Sequence, residues 1–104
     1  MSSISQCQYN IQRYRTLKTK INSIISNLSF AITNTDDLNT EIKSKYQVND
    51  NYTPIVTRTA DLKKNITKTS NYLSDKIIPA IDVAISNLYK EIARLEEEQR
   101  SCGE

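Results

Sequence analysis

The 104-residue chain has no histidine and no tryptophan, a single glycine at Gly103, and two prolines, Pro54 and Pro79. Without histidine there is no imidazole for acid/base work, for a Ser/His arrangement or for a metal site. With one glycine there is no glycine-rich, phosphate-cradling loop, and the few turn-forming residues predict few, long elements. No window approaches eighteen uninterrupted apolar residues, so no membrane span is expected. The N-terminal "MSSISQCQYNIQRYR" lacks the apolar stretch of a signal peptide, which predicts synthesis and residence in the cytoplasm. The net charge of +2 comes from 14 basic and 12 acidic residues spread along the chain, too weak and mixed for a nucleic-acid footprint. The carboxylates cluster only as Asp36-Asp37 and Glu96-Glu97-Glu98. Neighbours on a helix point about 100° apart and do not converge on one atom. The expectation is a non-enzymatic protein with no catalytic residues, no cofactor and no metal site.

What the chain does have is periodicity. From Ile4 the apolar positions step by three and four through Cys7, Ile11 and Tyr14, then, seven residues on, through Ile21, Ile25, Leu28 and Ile32, and after a polar gap Ile42 and Tyr46. A second row at seven-residue spacing, Leu17, Ile24, Ala31 and Leu38, widens this stripe on one flank. Within "ITNTDDLN" the pair Thr33 and Asp36 has capping-box spacing, which predicts a bend or restart there. In "QVNDNYTP" the run Asn49, Asp50, Asn51 favours a turn, and Thr53-Pro54 reads as N-cap and first helical position. Beyond it the pattern resumes as Ile55, Thr59, Leu62, Ile66, Thr69, Leu73, Ile77, Ile81, Ile85, Leu88, Ile92, Leu95 and Gln99. Steps of exactly four residues run from Leu73 to Ile85 around Pro79, which predicts a kinked helix rather than two helices.

The fold expected is all-α: an antiparallel two-helix hairpin with helix 1 at about 3–47, a turn at about 48–53 and helix 2 at about 54–100, kinked near Pro79. The hairpin core is expected from Ile11, Tyr14, Ile21, Ile25, Ile32, Leu62, Ile66, Leu73, Leu88, Ile92 and Leu95. A turn centred near Asp50 places Ile81 opposite Lys20, beside Ile21, Ile24 and Ile25. In "KIIPAIDVAIS" apolar residues surround most of the helix, and one neighbouring helix covers only one side. A surface for an external partner is therefore expected at Ile24, Leu28, Ile77, Ile78, Pro79, Ile81, Val83 and Ile85.

The same register sets Cys7 opposite Arg94 and leaves Cys102 roughly 12 Å further along, which disfavours a bridge. Cys7 then reads as a small core residue and Cys102 as part of a polar tail. The basic run Arg13, Arg15, Lys18, Lys20 falls near Glu96, Glu97 and Glu98, so loose ion pairing between them is expected, or an electrostatic patch that orients a partner.

Taken together, an amphipathic helix, a polar turn with "YQVND" and a second helix carrying "NYL", "KIIPAI" and "ISNLYKEI" resemble the small helical-hairpin proteins encoded beside LXG toxins of Firmicutes type VII secretion systems. These are distant relatives of the WXG-type hairpins. The resemblance covers nearly the whole chain and rests on pattern and length. It implies a targeting factor or chaperone that binds the helical N-terminal domain of an LXG toxin, in some cases with a second small helical partner. It also implies export in complex with that toxin. The chain departs from the WXG pattern in having neither Trp nor Gly in the turn. Its one Tyr-x-x-x-Asp/Glu match, Tyr46 to Asp50, falls between the helices rather than after the second. The alternative is a homo-oligomer, two copies closing a four-helix bundle as a structural scaffold.

Overall fold

A computed structural model describes residues 3–45 and 52–103. Among them there is helix and no strand: α1 spans Ile4–Lys45, α2 Tyr52–Tyr72, and α3 Ile78–Gly103, with a π turn at Leu73–Ile77 joining α2 to α3 without a break. Of the expected turn at 48–53, residues 48–51 lie outside the described residues, as does the Tyr46-to-Asp50 match. At the far side of that gap α2 already includes Tyr52, so the helix begins ahead of the Thr53-Pro54 start read from the sequence.

α1 starts on a serine N-cap that the periodicity did not reveal. Ser3 is the N-cap: the Gln6 amide donates to its Oγ at 3.1 Å and the Cys7 amide to its carbonyl at 3.0 Å. The Ser3-x-x-Gln6 spacing is the visible signal. At Thr33-Asp36 the helix does not restart, because α1 runs through unbroken. The Thr33 hydroxyl instead donates to the Ser29 carbonyl one turn back, and Asp36 is engaged by Lys63 of α2.

Two cross-helix ion pairs fix the antiparallel register. Lys18 meets Asp82 and Lys63 meets Asp36, each at 2.7 Å. Residue 50 is midway between Lys18 and Asp82, and the midpoint of Asp36 and Lys63 falls between 49 and 50. This is the register that a reversal at Asp50 predicts.

The irregularity expected around Pro79 takes a specific form. The Ile78 amide donates to the Leu73 carbonyl five residues back, closing a π turn immediately before the proline. Pro79 has no N–H to give, and in an α-helix its ring would collide with the carbonyl of Asp75, four residues back. A wider turn ahead of it relieves that collision. It also explains the steps of four: from Leu73 to Ile85 the stripe needs three turns, about 11 residues of α-helix, and spends twelve. One extra residue is what a π turn inserts. The molecule stays narrow, 84 × 15 × 15 Å, so the insertion re-phases the helix without a sharp bend.

The core is one thin seam. Cys7, Ile11, Ile21 and Ile42 of α1 and Ile81 and Leu95 of α3 are buried, with Thr35 and Thr59. The two threonine hydroxyls donate within their own helices, to the carbonyls of Ala31 at 2.8 Å and Ile55 at 2.7 Å, so neither is buried without a partner. Cys7 and Cys102 are both free thiols, the first buried and the second exposed.

Two outcomes follow. Ile81→Ala lowers unfolding stability by about 2–4 kcal/mol in urea denaturation followed by circular dichroism, while Val83→Ala changes it by less than about 0.5. Equal losses would mean that the seam is misplaced. Deleting Ser74, which removes the extra residue, is destabilising alone because Pro79 then sits in a regular α-helix. Combined with Pro79→Ala it recovers most of the loss, about 3 kcal/mol.

Candidate partner-binding surface

Two helices in contact leave a seam on either side of their line of contact, and here the two seams differ in chemistry. One is polar. Along it lie the Lys18–Asp82 and Asp36–Lys63 pairs and, toward the termini, the Arg15 guanidinium, 5.7 Å from the Tyr89 ring and donating to its phenol oxygen. All of these groups are substantially exposed, so each contact contributes less than about 1 kcal/mol. Their effect is on register.

The opposite seam is apolar. Residues seven apart return to nearly the same direction on a helix, so Leu17, Ile24, Ala31 and Leu38 form one straight row on α1. Leu17, Ile24 and Leu38 are exposed at 45%, 47% and 48%. In the register fixed by the ion pairs, their counterparts across the seam are Ala84, Ile77, Thr69 and Leu62. At the terminal end the arrangement is explicit: Tyr14, Leu17 and Lys20 line a groove with Ala84, Asn87 and Leu88. Ile55, also exposed, extends the row toward the other end. The row from Leu17 to Leu38 runs about 32 Å along α1, more than isolated surface residues provide.

The residues expected to face a partner divide accordingly. Ile24 is exposed and central to the apolar seam. Leu28, Ile77, Ile78 and Ile85 are half-buried between the helices and the surface. Pro79 and Val83 are exposed, and Val83, at 60%, lies two residues beyond Ile81 and thus about 200° around the helix, on the outer surface. Ile81 is a correction: at 5% exposure it belongs to the core. It stands seven and fourteen residues before Leu88 and Leu95, on the line that faces α1.

Of the residues expected in the hairpin core, Ile11, Ile21 and Leu95 are buried, and Ile25, Ile32, Ile66, Leu73, Leu88 and Ile92 are half-buried. Tyr14 and Leu62 are corrections. Leu62 is 53% exposed on the flank of the stripe, while its neighbour Lys63 is half-buried and extends its amine to Asp36. Tyr14 lines the groove at its edge. Thr35 was not singled out, although it falls seven residues from both Leu28 and Ile42 on the inward line.

The expected pairing of Arg13, Arg15, Lys18 and Lys20 with the glutamates at 96–98 is also corrected. Glu98 is held by Arg94 and Glu97 by Arg100 at 2.9 Å, both within α3. Their partners lie one turn away on the same helix, whereas Arg15 and Lys18 find theirs at Tyr89 and Asp82. Arg94 also bridges to Glu91, and its hydrogen bond holds the Glu91 carboxyl below its ordinary value of 4.5.

Comparison of the chain with protein-family models, with curated proteins and with solved structures found no match. No described helix is long and apolar enough to cross a membrane.

Because the Glu91 pKa is lowered by folding, its pairing contributes stability above the unfolded carboxylate range and loses it as pH falls through the folded value. Carbon-detected NMR titration should give a Glu91 midpoint below that of the unfolded chain, and Arg94→Ala should raise it. An unchanged midpoint would show that the pair does not persist in solution.

Proposed function

We propose that the protein is a non-enzymatic helical partner, a targeting factor or chaperone, that lays its apolar seam along the helical N-terminal domain of an LXG toxin and helps deliver it to a type VII secretion system. In this reading a second small helical protein joins the complex where the toxin requires one, and export, when it occurs, is of the assembled complex. The observation that carries it is the exposed row of Leu17, Ile24 and Leu38 beside Leu62 and Ile55, a line of large apolar side chains left uncovered among the described residues. Recognition of one amphipathic helix by another uses such rows. The naming of the toxin rests on the resemblance in length and pattern, with "KIIPAI" and "ISNLYKEI" as its residues.

A second copy of the chain is the other reading, favoured by rows on the two helices that stand at matching heights and so suit a twofold bundle. Co-expression with an LXG N-terminal domain, followed by size exclusion with light scattering, separates the two. The expected result is a stable complex of defined stoichiometry. Ile24→Asp or Leu38→Asp weakens it by about 100-fold or more, since each buries an unpaired charge. Val83→Asp, on the outer surface, leaves it intact. A homodimer that ignores the toxin domain would replace this reading with the scaffold.

A further inference from the structure

The terminal end of the apolar seam has a charge pattern that the rest of the molecule does not satisfy. Arg13 and Lys20 both line the groove between α1 and α3, seven residues apart and so about 10.5 Å along α1. No carboxylate lines it; its other polar residues there include Asn10, Thr16 and Asn87. Among the described residues no ion pair engages either cation, whereas Lys18, on the polar side, is paired with Asp82. The Arg13 guanidinium lies 5.8 Å from the exposed Tyr9 ring, which supports it at the groove's edge.

We infer that this end of the groove takes a helix of a different protein whose apolar row is flanked by two carboxylates two turns apart, paired with Arg13 and Lys20. The inference rests on the reading that the apolar seam docks helices, and adds the charge of the occupant. A second copy fits less well. Of its acidic pairs with the same spacing among the described residues, Glu91 and Glu98 are both already held by Arg94, and in Asp75 and Asp82 the second is held by Lys18. The floor suits a single large side chain from the partner, since Ala84 leaves room opposite Leu17. Leucine or phenylalanine there, with a glutamate on the flank one turn to either side, satisfies both features.

The test uses the full chain and two stapled amphipathic peptides with the same leucine row, one flanked by glutamate and the other by lysine. Binding is followed by fluorescence anisotropy at low and high salt. The expected result is a preference of about tenfold or more for the glutamate peptide, reduced by salt. In Arg13→Glu/Lys20→Glu the preference reverses, and in Ile24→Asp both peptides bind weakly. Equal affinity for the two peptides, still dependent on Ile24, would overturn the charge assignment and leave the seam as a docking surface. Failure of both peptides to bind would overturn both. A dimer of the chain that is broken by Ile24→Asp and excludes the peptides would overturn the assignment to a foreign partner. Formation of the LXG complex with no sensitivity to the charge reversal would overturn this inference alone.

Discussion

Two helices touch along one line, and a chain that folds as nothing more can bury only the stripe on each helix that meets that line. The 84 Å length follows, as does a core drawn from a few positions of each helix. Apolar residues outside the inward stripe are left to water unless another molecule covers them. Cys7, Ile11, Ile21, Ile81 and Leu95 stand inside this limit; Leu17, Ile24, Leu38 and Leu62 stand outside it. The distinction between core and candidate binding surface is therefore one of azimuth, a matter of about 60° around each helix.

Keeping a stripe on one azimuth over the fifty or so residues of the second helix is difficult when a proline lies within it. The π turn at Leu73–Ile77 handles this by adding a residue where the backbone must already give up a hydrogen bond. Leu73 and Ile81 consequently remain in register with α1, although an uninterrupted α-helix would have carried them apart. Pro79 thus acts as a phase marker in the helix.

Much of this was legible in the residues. Steps of three and four gave both helices, the Asn49-Asp50-Asn51 run gave a reversal whose register the ion pairs reproduce, and steps of four marked the irregular segment. Azimuth within the stripe was less legible. Leu62 and Lys63 are neighbours, and hydropathy alone favours burying the leucine; the inward line through Thr59, Ile66 and Leu73, seven residues apart, leaves Leu62 on its flank instead. Ile81 looked like part of an all-round belt because Ile77, Ile78 and Ile85 surround it, yet only contact with α1 distinguishes the covered member. Thr35 is not legible as core because a threonine in an apolar gap reads as polar, whereas its hydroxyl is satisfied inside α1 and the residue is buried. The apolar seam itself was half visible, as the seven-residue row on the first helix without its counterpart on the second.

The threonines have a further effect on how cohesion is distributed. Toward the termini the inward line carries Cys7, Ile11, Ile21, Ile81 and Leu95, while toward the reversal it carries Thr35, Thr59 and Ile42, beside an Asn39 carbonyl oxygen with no partner among the described residues. Each threonine brings less apolar area to the contact than an isoleucine would, and none of the hydroxyls bonds across it. Among the described residues, cohesion per turn is therefore weaker beside Thr35 and Thr59 than beside Ile21 and Ile81, so local opening costs less free energy at the threonine pair than along the isoleucine stretch.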